Sequence, residues 1–132
     1  MKHRKFIASF DLHGDMADQS VLKKLHEFTK VFKPDLKIFG GDLFDFRCLR
    51  KKAGNAEKAE SIADDVAMGM EFLKEWRPNV YLRGNHCERL WDLADNNVED
   101  GLKRDAAQKG VNEIEDLCKK QGTIIYPYDK RK

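Results

Sequence analysis

Two hydrophobic periods alternate along the chain. Phe6-Ile7-Ala8-Ser9-Phe10, Leu36-Lys37-Ile38-Phe39, Val80-Tyr81-Leu82 and Thr123-Ile124-Ile125-Tyr126 are short runs rich in β-branched and aromatic residues. They predict four strands, the first from Lys5 to Phe10. Between them the spacing turns helical. Val21, Leu22, Leu25, Phe28, Val31 and Phe32 predict a helix with one buried stripe, Ser20 as its N-cap and Pro34 just past its end. Ala59, Ile62, Ala63, Val66, Met70, Leu73 and Trp76 predict a long helix over Ala56 to Trp76, with Asp64-Asp65 on its solvated side. Glu88 to Asp95 reads as a short helix and Lys103 to Lys120 as a longer one, ended by Gln121-Gly122. Phe46 to Asn55 has no period and reads as a loop.

Strands alternating with helices predict an α/β fold: a mainly parallel sheet with flanking helices and right-handed crossovers. The 132 residues fit a single domain spanning 1–132. Lys and Arg number 25 against 23 Asp and Glu, a formal charge of +2, too balanced to indicate a nucleic-acid-binding tail by itself. A local basic cluster remains at Arg47, Arg50, Lys51 and Lys52. Cys48, Cys87 and Cys118 are widely spaced and form no C-x-x-C, so neither a disulfide framework nor a thiolate zinc site is expected. That cysteine usage points to the reducing cytoplasm. No stretch approaches the roughly 20 apolar residues of a membrane span, and the first apolar run meets Asp11 before reaching signal-peptide length.

Three of the strands run into glycine-containing polar loops: Asp11-Leu12-His13-Gly14, Gly40-Gly41-Asp42 and Gly84-Asn85-His86. In a parallel sheet the carboxyl ends of neighbouring strands share one rim, so Asp11, His13, Asp42, Asn85 and His86 are expected to converge. Mixed oxygen and nitrogen donors of this kind suit Mn2+, Fe or Zn2+. Two such ions roughly 3.5–4 Å apart lower the pKa of a shared water and clamp a transferring phosphoryl group. Asp42 has two oxygens with which to bridge, and Asn85 offers a neutral carbonyl to the second ion. His86, beside Asn85, faces the substrate and can protonate a leaving alkoxide. Gly41 and Gly84 allow close approach of backbone and substrate. Arg83 at the rim, with Arg47 and Arg50 of the basic cluster, are the candidate phosphate contacts. Asp45 reads as a supporting residue, and His26 as a surface helix residue.

The motifs Asp11-x-His13, Gly41-Asp42 and Gly84-Asn85-His86, in that order and each after a strand, resemble the calcineurin-like metallophosphoesterases, and the surrounding sequence is most similar to their phage and prophage members. The resemblance covers nearly the whole chain. It implies the first half of an αββα sandwich. It also implies Asp11 and His13 on a first metal, Asp42 bridging, Asn85 on a second, and His86 as the acid. The implied activity is hydrolysis of a phosphomonoester or phosphodiester by a metal-bound hydroxide, with Mn2+ the expected ion. Gly-Asp-Leu-Phe-Asp is similar to the DNA-nuclease branch, so a nucleic-acid phosphodiester is a candidate substrate. Phe44, Phe46 and Trp91 are candidate stacking residues for its bases.

Two departures from the family pattern stand out. Cys87 replaces the acidic residue that usually follows the Gly-Asn-His histidine, with Glu88 next. The family's second sheet and its two further histidine motifs have no counterpart before Lys132. The second metal site is therefore expected to be incomplete, and one sheet face to lie open. Such a face predicts a homo-oligomer or a missing C-terminal partner segment. The alternative to an enzyme is a non-catalytic remnant or split subunit that keeps the fold and a partial metal site and works only with a partner chain.

Overall fold

In the computed structural model, which describes residues 4–49, 61–95 and 101–128, every strand pairs in parallel with the next in the chain. β1 (Phe6–Ser9), β2 (Leu36–Phe39), β3 (Val80–Leu82) and β4 (Ile124–Tyr126) lie in the order β1-β2-β3-β4. The helices are α1 (Gln19–Phe32), α2 (Ile62–Trp76), α3 (Asn85–Asp95) and α4 (Gly101–Gln121), with single 3-10 turns at Gly14–Met16 and Arg47–Leu49. The expected α/β architecture is the one formed. Because the strand order never reverses, crossovers of one hand carry the helices to one face of the sheet. The loops leaving β1, β2 and β3 consequently stand side by side. Among the described residues no helix is long and apolar enough to cross a membrane.

The two sheet faces have different fates. Ile7, Phe39 and Tyr81 point toward the helices and are buried. They meet Phe72, Leu73 and Trp76 of α2, with Leu90 of α3 and Ile114 of α4 in the same core. On the opposite face the register sets Phe6 beside Leu36, Ala8 beside Ile38, and Val80 between Ile38 and Ile124. That face stays open: Phe6 is 63%, Phe10 59% and Ile124 55% exposed.

The helices depart from the sequence reading in several places. The cap of α1 is Asp18, not Ser20; its carboxylate accepts the backbone N–H groups of Ser20 and Val21. The α1 stripe is also far less buried than its periodicity suggests. Leu22, Leu25 and Phe32 pack against the core, while Val21, Phe28 and Val31 face solvent. α1 flanks the edge of the layer and is tied to α2 by Trp76 Nε1 donating to Thr29 Oγ1 at 3.0 Å. Among the described residues no further layer covers its outer side. α2 starts at Ile62 with Ser61 as cap, and the expected residues 56–60 lie outside those described. Asp65, expected in solvent, is 6% exposed. α3 starts at Asn85, three residues before the expected Glu88, and so takes Asn85 and His86 into its first turn. α4 starts at Gly101, two residues before the expected Lys103, and residues 50–55 of the expected loop lie outside the described residues.

Candidate metal centre

The ladder between β1 and β2 does not stop where the strands stop. Asp11 N–H donates to Gly41 O at 3.0 Å, His13 N–H to Asp42 O at 2.9 Å and Gly14 N–H to Leu43 O at 2.8 Å, which zips the first two loops together. The zip forces unusual backbone. Asp11, His13 and Asp42 have φ of 56, 57 and 52°, in the left-handed region that costs a non-glycine residue about 1–2 kcal/mol. Such conformations persist only where their surroundings over-determine them, and they concentrate at functional sites.

Gly84 locks the third loop onto the second. A Cβ there would lie 2.1 Å from Asp42 Oδ1 and 2.4 Å from Asp42 N, so only glycine admits that carboxylate. The same oxygen accepts His86 N–H at 3.0 Å. That amide belongs to the first turn of α3, where the helix dipole favours negative charge. The close approach expected at Gly84 is therefore made by the Asp42 carboxylate.

Donor atoms of Asp11, His13 and Asp42 all lie within 4.8 Å of one another. His13 Nε2 is 3.7 Å from Asp11 Oδ1. Asp11 is exposed and the other two are half-buried, so the group opens to solvent. Asn85, also exposed, begins α3 directly after Gly84. A second group shares His13. Asp45 Oδ1 lies 2.8 Å from His13 Nδ1 and 2.9 Å from His86 Nδ1, and the two rings meet edge to face at 5.1 Å. With both Nδ1–H groups donating to one carboxylate oxygen, each ring turns its Nε2 away from Asp45. Asp45 itself is buried. Burial pushes its carboxyl up, but hydrogen bonds from His86 and His13, reinforced by the charge those rings can carry, hold it below the ordinary aspartate value.

No family model, curated protein or solved structure matches the chain. The chemistry must be read from the side chains themselves.

The other expected contacts fare unevenly. Arg83 Nε sits 2.9 Å from Glu88 Oε1, and its guanidinium lies 4.5 Å from the centroid of the Trp91 ring. Glu88 is buried and also accepts Tyr128 N–H at 3.1 Å, so it fastens the segment after β4. Arg47 pairs with Asp15 at 3.2 Å and approaches Asp45 at 3.5 Å, which places it beside the histidine pair. Arg50 lies outside the described residues. Phe44 and Phe46 are fully buried and stack on each other at 5.3 Å, and Trp91 is 6% exposed. These three aromatics are core and leave no open ring face for a base. Cys87 is buried with its thiol 3.1 Å from the Tyr81 hydroxyl, and burial pushes its pKa up, which fits an inert thiol.

Two residues matter more than the sequence indicated. Asp45 contacts both histidines; the only local signal was its place three residues after Asp42. Asp65 reaches both of the first two loops from α2, and nothing in its helical neighbourhood marks it.

Proposed function

We propose that this chain is a metal-dependent phosphoesterase, a hydrolase of phosphomonoesters or phosphodiesters. Asp11, His13, Asp42 and Asn85 would hold its divalent cations, Mn2+ first and Fe or Zn2+ as alternatives. The observation that carries this reading is the gathering of Asp11, His13 and Asp42 within 4.8 Å at a solvent-open rim, with His86 beside them. The donor set fits such ions: carboxylates, an imidazole and an amide carbonyl. The left-handed backbone of Asp11, His13 and Asp42 also fits a site that must aim donors inward.

When bound, cations of this kind polarise a phosphoryl oxygen and lower the pKa of water. The chain's own residues do the rest. His13 presents Nε2 to the donor group because Asp45 holds its Nδ1. His86, held the same way, presents Nε2 for proton transfer to the leaving oxygen. A buried carboxylate behind an imidazole fixes its tautomer and steadies the charged ring as the proton moves. Arg47, anchored beside Asp45, adds positive charge near the incoming phosphate. With the basic cluster that follows it, Arg47 favours a nucleic-acid phosphodiester among the possible substrates. The open sheet face is taken to be covered in the working assembly, by a second copy or a C-terminal partner segment.

The test is hydrolysis of a chromogenic phosphodiester by the purified chain with Mn2+. Activity should vanish with chelator, return with Mn2+, and fall on the order of a hundredfold in Asp42→Asn. Equal rates in the two proteins would end the hydrolytic reading. One observation favours a second reading, a non-catalytic or split subunit. Among the described residues Asp42 and Asn85 alone serve the second cation, leaving its remaining positions to water. In that case Mn2+ binds, and turnover appears only when a partner segment is supplied in trans.

A further inference from the structure

Among the described residues the buried polar side chains are Asp45, Asp65, Glu88 and Thr123. Three have evident tasks. Asp45 holds two imidazoles, Glu88 pairs with Arg83, and Thr123 donates from its hydroxyl to Pro78 O at 2.6 Å. Asp65, in the first turn of α2, has no cationic partner among its described contacts. Its Oδ2 accepts Phe46 N–H at 2.6 Å, and its Oδ1 lies 3.5 Å from Asp45 N. An isolated carboxylate is costly to bury, and two converging amides are what make it tolerable.

Those amides belong to a strained turn. Phe46 has φ of 52°, a conformation rare for a bulky residue. Its N–H is fixed by Asp65, and its ring is fully buried against Phe44. The direction in which the Asp45 side chain leaves the backbone is set at this turn. The other ligand loop is tied to the same carboxylate. A Cβ on Gly14 would lie 1.6 Å from Asp65 Oδ1 and 2.7 Å from Asp65 Cγ, so the residue after His13 is notched to admit Asp65. Asp65 thus touches the loop that carries His13 and the loop that carries Asp45.

We propose that Asp65 is a positioning residue of the candidate centre: by bridging the Phe46 turn and Gly14, it holds the Asp45 carboxylate between the His13 and His86 rings. Its importance for turnover rests on the phosphoesterase reading above. Its effect on the two rings does not.

The test uses the full chain without added metal, in mildly alkaline buffer, with imidazole tautomers read from long-range proton–nitrogen correlations. In the wild type, His13 and His86 should both be Nδ1–H tautomers. Asp65→Asn keeps the size of the side chain but turns an acceptor into a donor toward one of the amides. It should move His86 to at least half Nε2–H, with unchanged far-ultraviolet circular dichroism. Gly14→Ala, whose methyl displaces the Asp65 carboxylate without removing its charge, should produce the same change at His86, a residue remote from the substitution. Folded variants in which His86 stays Nδ1–H overturn the proposal. So does failure of both variants to fold, since Asp65 would then serve the fold alone. Turnover with Mn2+ separates this from the larger reading. A tenfold to hundredfold loss of kcat in Asp65→Asn is expected if both hold. A tautomer shift in a chain with no wild-type turnover would leave Asp65 in its role and remove the phosphoesterase.

Discussion

Asp45 and Asp65 are both buried, with Asp65 Oδ1 3.5 Å from the Asp45 amide, yet their surroundings push the two carboxylates in opposite directions. Asp45 faces two imidazoles whose hydrogen bonds outweigh burial, so its native pKa lies below the ordinary 3.8. Asp65 faces only amides, with the charges of Asp15 and Asp45 nearby, and burial raises it above 3.8. The linkage signs follow. A carboxyl lowered in the native state contributes stability above its unfolded value and loses it as pH falls through the native value. A carboxyl raised in the native state contributes below its unfolded value and loses that contribution as pH rises through the native one. Urea unfolding across a pH series should therefore separate the two. Asp45→Asn should cost about 1–3 kcal/mol near neutrality, from two charge-assisted hydrogen bonds, with the gap to wild type closing in acid. Asp65→Asn should show its widest gap in acid and a narrowing one as pH rises. Parallel profiles for the two variants would show that their environments do not differ in this way. The candidate ligands were legible in sequence because each sits in a glycine-containing loop directly after a strand. The Asp65 contact was not, because it joins residues about fifty positions apart, and helical periodicity carries no information about a notch at Gly14.

At the scale of elements, the four strands could be read directly, since a short β-branched and aromatic run bounded by polar residues is a local signal. The helices were read less well, and α1 shows why. Amphipathic spacing reveals which side of a helix can be buried; whether a layer exists to bury it depends on the rest of the fold. Val31 is 83% exposed although it lies on the apolar stripe, whereas Leu73 on α2 is fully enclosed by the sheet and its neighbours. Truncation to alanine should then have different consequences on the two helices. Leu73→Ala is expected to destabilise the chain by about 2–5 kcal/mol. Val31→Ala should stay within about 0.5 kcal/mol, as surface substitutions do. Denaturant midpoints at constant m-value would measure both. A large loss at Val31 would mean that α1 is covered in solution.

For the molecule as a whole, the consequence of an unreversed strand order is a sheet that the described residues dress on one side only. Phe6, Phe10, Leu36, Leu82, Ile124 and Tyr126 are all exposed, and the register places most of them next to one another on the undressed side. Contiguous apolar surface on this scale is where soluble chains associate. The β1 and β4 edges add unpaired backbone groups that favour the same outcome. The centre itself lies at the carboxyl ends of the strands, so a charge placed low on this face should alter association without touching the donor atoms. Sedimentation of the wild type should show mass rising with concentration, together with binding of a hydrophobic dye. Ile124→Lys should weaken that association by roughly tenfold, a change of about 1.4 kcal/mol, and reduce dye binding. Mn2+ affinity should be the same in both proteins, because β4 contributes no ligand. A wild type that sediments as a monomer at high concentration and binds no dye would show that such a one-sided sheet can persist uncovered.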